Sequence, residues 1–84
     1  MRAEKEIIDE LSIVFRNVFK NDTIYLTPST SSSDIEEWDS LHNAMLISAI
    51  EKHFLIKFRF AEILNFKTIG NICDAVAGKL NQPG

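Results

Sequence analysis

Apolar side chains recur along residues 4–19 at Ile7, Ile8, Leu11, Val14, Phe15, Val18 and Phe19. That is helical i, i+3, i+4 spacing, with Glu4, Lys5, Glu6, Asp9, Glu10 and Arg16 on the other side. The spacing predicts a first helix over 4–19, ended by Asn21-Asp22. Residues 21–39 show no period. Their TPSTSSSD stretch reads as a long connection, with Ile24, Tyr25 and Leu26 tucked onto the core. Ser33-Asp-Ile-Glu36 fits a capping box and predicts a brief helical turn near 34–38. On a wheel over 40–54, Asn43, Leu46, Ile47, Ile50 and Phe54 fall together and should face the core. Leu41, Met45, Ser48 and Lys52 fall on the opposite side. This second helix has no glycine at its end, which predicts a stop other than a left-handed cap. A short third helix follows over 59–65. A fourth spans 68–80, with Ile69, Ile72, Cys73, Val76 and Leu80 in register and Thr68 as N-cap. The tail, NQPG, reads as a frayed end.

The pattern therefore predicts an all-α, four-helix bundle with a long loop between helices 1 and 2 and a short third helix. With 84 residues, 1–84 should form one small domain. A hydrophobic content of 45% excludes a disordered chain. A lone cysteine excludes a disulfide framework within the chain and a Cys-based zinc site. No apolar run is long enough for a membrane span, and MRAEKEIIDELS lacks the uninterrupted apolar stretch of a secretory signal, so a soluble, cytoplasmic protein is expected. Net charge is −3 with scattered cations, which argues against nucleic-acid binding.

The chemistry-bearing stretch is EEWDSLHNAML, Glu36 to Leu46. A catalytic Ser40 would need a base in reach. His42 is two residues on, about 200° around a helix, and His53 lies roughly 20 Å along the axis. No Gly-x-Ser-x-Gly elbow and no glycine-rich phosphate loop is present. An enzyme is not expected. The acids Asp34, Glu36, Glu37 and Asp39 lack the spacing of a calcium loop, so no metal is expected; their charge favours the start of the second helix. Cys73 reads as a buried thiol, and His42 and His53 as solvated surface histidines. Locally, Ser40 is an N-cap candidate: its hydroxyl, or the Asp39 carboxylate, would satisfy an orphan N–H of the first turn.

Asp39-Ser40-Leu41, at the start of the second helix of a small acidic four-helix chain, resembles the acyl carrier protein family. The helix that follows, with Leu46, Ile50, Glu51 and Phe54, is similar to that family's second helix. DIEEWDSL looks like a subset of free-standing carriers with Trp before the Asp. The resemblance implies 4′-phosphopantetheine joined to Ser40 through a phosphodiester, with Asp39 and Leu41 flanking the attachment. It implies acyl cargo carried as a thioester, an acyl-carrier bundle, a monomer, and two kinds of partner: a phosphopantetheinyl transferase, and acyl-loading and acyl-processing enzymes. An aminoacyl or peptidyl carrier, or an unmodified helical interaction module, stays open as an alternative.

The chain departs from the family where Glu37 and Trp38 precede Asp39, a site that usually holds Gly. Trp38 either packs over the loop and fixes the approach to Ser40 or is a plain core aromatic. The exposed face of the second helix, usually acidic, carries Leu41, Met45, Ser48 and Lys52, with only Glu51 as an acid. Leu41, His42, Met45 and Glu51, with Glu36 and Glu37 of the loop, are therefore the expected partner-recognition residues, and a dedicated biosynthetic pathway is the expected setting.

Overall fold

The computed structural model describes residues 3–80, so the expected frayed tail lies outside the described residues. Helix α1 spans Glu4–Phe19. Its first free N–H groups meet acids in the first turn, and Glu6 Oε1 reaches back to accept from Ala3 N at 3.1 Å. It stops where Lys20 turns left-handed at φ 53, with Asn21 N donating to Arg16 O at 3.1 Å.

Helix α2 spans Ser40–Phe54 and also ends left-handed, at Leu55 with φ 58. This corrects the expectation of another stop. Leu55 takes the conformation itself, at a cost of about 1 kcal/mol, and its turn returns an N–H from Ile56 to Glu51 O at 3.0 Å. The Glu51 carboxylate adds a second tie, accepting from Phe58 N at 2.8 Å. Helix α3 is one short turn-and-a-half, Phe60–Leu64, and α4 spans Ile69–Leu80. Thr68 Oγ1 accepts from Asn71 N at 3.3 Å, and Asn71 Oδ1 accepts from Lys67 N and Thr68 N, so the two ends of the first turn of α4 cap each other. Among the described residues the architecture is all-α, as the pattern implied; the sole β-type pairing is a lone bridge between Ser31 and Thr68.

The core is built around α1, which packs against both α2 and α4. Ile7, Leu11 and Phe15 meet Leu46 and Ile50 of α2 and Ile69, Ile72, Cys73 and Val76 of α4, all essentially inaccessible. The connection 20–39 is pulled onto this core by Ile24, Leu26, Ile35 and Trp38. Tyr25 is not: it is 78% exposed, because alternate side chains of an extended segment face opposite ways and its neighbours take the buried side.

The expected turn near 34–38 lies earlier, as a 3₁₀ turn at Ser32–Asp34. Its box is Ser31 with Asp34: Asp34 Oδ2 accepts from Ser31 N at 2.9 Å, and Asp34 N donates to Ser31 O at 2.9 Å. The register moves because Ile35 must be buried, which requires extended backbone there.

The loop is also stitched to α4. Ile69 N donates to Thr30 O and Gly70 N to Pro28 O, both at 2.8 Å, so loop carbonyls satisfy donors that a helix start leaves orphaned. The close approach explains the glycine: a Cβ at Gly70 would lie 3.0 Å from Pro28 O, whereas one at Gly78 would meet nothing. Two alanine substitutions in α4 should therefore differ in sign. Gly78→Ala should gain about 1 kcal/mol from helix propensity, raising Tm by roughly 4–8 °C. Gly70→Ala should lower Tm by a similar amount through the displaced loop carbonyl. Thermal melts of the two variants check this; equal gains would contradict the stitched loop.

Candidate functional site

Residue 39, not residue 40, caps α2. Asp39 has extended backbone, φ −106 and ψ −173, and its Oδ1 accepts from His42 N at 2.8 Å. Its carbonyl accepts from Asn43 N at 2.8 Å and so begins the helix. Ser40 is the first helical residue and is exposed. With the orphan donor already met by Asp39, no hydrogen bond engages the Ser40 hydroxyl among the described residues. The open choice between the two as cap is thus resolved for Asp39.

His42 turns away from Ser40. Its Nδ1 lies 2.8 Å from Asp39 Oδ1, and its ring packs against Phe19 at 5.5 Å between centroids. The expected solvated surface histidine is in fact half-buried and engaged. The backbone N–H of His42, and then its ring, hold the Asp39 carboxyl below its ordinary carboxylate range. His53 is engaged as well, with Nε2 3.0 Å from Glu10 Oε1, linking α2 to α1.

Trp38 does both things the sequence left open. It is buried, edge-on to Phe15 at 5.2 Å and 87°, so it is a core aromatic. Its Nε1 also donates to Asn43 Oδ1 at 2.9 Å, fastening the loop to the first turn of α2. Asn43, expected to face the core with its apolar neighbours, is half-buried because its amide serves this indole. One link further back, Asn21 Nδ2 donates to Glu37 Oε2 at 3.1 Å and ties the loop to the end of α1. Ser40 is thus held by a loop anchored at both sides.

An open hollow of about 330 Å³ adjoins the serine, lined by Ser32, Trp38, Asp39, Ser40, Asn43 and Phe66. Ser32 and Phe66 did not emerge from the sequence. Phe66 comes from the α3–α4 connection, and no spacing rule relates it to residue 40.

The expected recognition residues separate into two groups. Leu41 and Met45 are 67% and 47% exposed, and Glu36 is exposed. His42, Glu37 and Glu51 are half-buried and engaged by the chain itself: His42 by Asp39 and Phe19, Glu37 by Asn21, and Glu51 by Phe58 N, which leaves the two glutamates hydrogen-bonded inward. Those two acids act first as staples of the fold. Cys73, on the inner face of α4, is buried; desolvation, then the charges of Glu4 and Asp74, push its thiol up to about 11. Among the described residues no three His, Cys, Asp or Glu side chains converge on a metal-sized site, and no helix is long and apolar enough to cross a membrane.

No protein-family model matches the chain, and no curated protein matches it. Among solved structures it is similar to the solution structure of the holo acyl carrier protein from Geobacter metallireducens. The TM-score is 0.84 and the identity 43%, over 88% of this chain and 85% of that one.

Two measurements check the site's electrostatics. Asp39 has a depressed folded-state pKa, so its contribution to stability is present above its unfolded value, about 3.9, and is lost as pH falls through the folded value. Asp39→Ala should therefore lower Tm at neutral pH, and the gap to wild type should close in strongly acidic buffer. Cys73 should resist alkylation at neutral pH in the folded chain and react readily in denaturant. Rapid labelling of the folded chain would contradict its burial.

Proposed function

Since the chain belongs to the acyl carrier protein family, we propose that Ser40 is the residue on which it carries 4′-phosphopantetheine. The observation that supports this reading best is the division of labour at the start of α2: Asp39 supplies the cap, and the neighbouring hydroxyl stays exposed and unspent. The residues present fit the group. A phosphodiester on Ser40 would sit by the free N–H groups and positive end of a fifteen-residue helix. The adjoining hollow leaves room on the loop side. When bound, the group supplies a thiol that holds acyl cargo as a thioester.

The chain's own residues present and position. Trp38 and Asn43 hold the first turn of α2 to the core, so the Ser40 hydroxyl has a fixed origin. Asp39 keeps that turn capped. His42 is committed to Asp39 and packed on Phe19, so it does not act as a base for Ser40. The chain is a carrier, and the chemistry on its cargo belongs to partner enzymes. We read residues 1–84 as one such domain, modified by a phosphopantetheinyl transferase from coenzyme A.

Leu41 and Met45 extend from Ser40 along the exposed side of α2, where the family usually shows acids. An exposed apolar pair beside the attachment point favours a partner with a matching apolar hollow. Glu36, the free acid nearest on the loop, supplies the polar rim. This pattern supports a carrier dedicated to one biosynthetic pathway rather than to general fatty acid synthesis.

Incubation with coenzyme A, Mg²⁺ and a broad-specificity phosphopantetheinyl transferase should add one phosphopantetheine to the wild type by intact mass, and none to Ser40→Ala. An adduct on Ser40→Ala would move the site elsewhere. In loading by its own pathway enzyme, Met45→Glu should cost about tenfold in kcat/KM, the loss of one well-packed contact. Efficient loading by general fatty-acid enzymes, insensitive to Met45→Glu, would remove the dedicated-partner reading.

A further inference from the structure

The chain is acidic overall, yet its charge is divided. Nine of the twelve acids fall in residues 1–39, whereas five of the nine Lys and Arg residues fall in 40–84, against three acids. The cations are not spread evenly over the second half. Three of them, Lys52, Lys57 and Arg59, bracket the end of α2 and the extended strap that leads to α3.

Along this strap the exposure alternates. Ile56 and Phe58 are half-buried against the core, with the Phe58 ring edge-on to Phe66 at 5.0 Å. Leu55, Lys57 and Arg59 face outward. Leu55 is 89% exposed, and Phe60, which follows Arg59 and opens α3, is 75% exposed. Phe60 and Leu64 lie four apart on α3 and so share its outer face. Both acids of this region are engaged by the chain itself. The Glu51 carboxylate accepts from Phe58 N, and Glu62 Oε1 accepts from Arg59 N at 2.7 Å and pairs with Lys79 Nζ at 2.9 Å. What remains outward is a ridge of protruding apolar side chains flanked by cations.

We propose that this ridge, Leu55, Phe60 and Leu64 with Lys52, Lys57 and Arg59, is a contact surface for an anionic lipid bilayer. Charge complementarity selects an anionic partner. The shape selects a lipid surface over an acidic protein. Phe60 and Leu64 project outward, and Leu55, almost wholly exposed, stands at the rim of an open hollow that it shares with Lys52, Ile56 and Lys57. Three strap N–H groups are also bonded within the chain, Ile56 N to Glu51 O, Phe58 N to the Glu51 carboxylate and Arg59 N to Glu62 Oε1, which disfavours a protein partner that pairs with the strap as an added strand. Long Lys and Arg stems can keep their charges at headgroup level while the apolar tips enter below. Contact of this size is reversible, since a few cations and a few apolar side chains fall short of a stable anchor. The strap, with Lys57 and Arg59, follows the end of α2 opposite Ser40, and α3 then leads back to Phe66 beside the serine.

The test is co-sedimentation of the 84-residue chain, before and after phosphopantetheinylation, with phosphatidylcholine vesicles with and without phosphatidylglycerol. The wild type should partition onto the anionic vesicles only, in both forms, and be released by high salt. The double variant Lys57→Glu/Arg59→Glu should lose at least about twentyfold in partitioning, at roughly fivefold for each cation removed. Phe60→Ser should lose about tenfold. Tyr25→Ser, an equally exposed side chain on the other flank, should bind as wild type. Circular dichroism confirms that each variant is folded. Equal binding to neutral vesicles, no binding to either, or unchanged binding by the double variant would overturn the proposal. So would a double variant whose only defect is slower loading by the pathway enzyme, which would make the strap a protein contact.

Discussion

The constraint on which this small domain turns is the anchoring of residues 20–39. Holding so many irregular residues in one conformation costs about 1–2 kcal/mol each in backbone entropy. Four side chains of that segment, Ile24, Leu26, Ile35 and Trp38, offset part of the cost by burial, at about 1.5–3 kcal/mol each. The carbonyls of Pro28 and Thr30 then close the segment onto the start of α4, where helix N–H groups would otherwise be unmet. The loop is thus a third layer of the core as well as a connection. Its last anchor, Trp38, sits one residue before the cap of α2.

That adjacency links packing to function. Phe15 of α1 fixes the indole ring, the indole N–H fixes Asn43, and Asn43 lies in the first turn of the helix that begins with Ser40. Asp39 completes the turn by capping it. A flexible arm attached at Ser40 would therefore start from a rigid point, which lowers the conformational freedom a partner must remove when it binds. The same economy explains why Glu37 and Glu51 are drawn inward. In a chain of 84 residues, acids near a loop or a helix end are needed to satisfy backbone and amide donors before they can serve as docking charge.

Much of this was legible in the sequence, for identifiable reasons. The all-α class follows from periodicity, and the outward position of Leu41 and Met45 from helix geometry alone. Trp38 stood out as the chain's one tryptophan, and the Asp39-Ser40 pair because Asp and Ser are the residues that cap a helix start. What was not legible depended on partners distant in the chain. Tyr25 was grouped with its buried neighbours because an irregular segment gives no phase. The capping turn slipped because two boxes, beginning at Ser31 and at Ser33, overlap in TSSSDIEE, and only the burial of Ile35 decides between them. The left-handed Leu55 was hidden because a leucine is a poor choice there on local grounds; the ties to Glu51 hold it. His53 with Glu10, and Phe66 beside Ser40, join residues that no local pattern connects.

We propose that this protein, whose one cysteine is deeply buried, acquires its working thiol at Ser40. Thiol titration of the native, transferase-treated protein tests it most directly, because Cys73, shielded and with its pKa raised to about 11, is silent under those conditions. One reactive thiol per chain is predicted for the wild type and none for Ser40→Ala. A wild type with no reactive thiol after treatment, or a Ser40→Ala protein with one, would contradict the account.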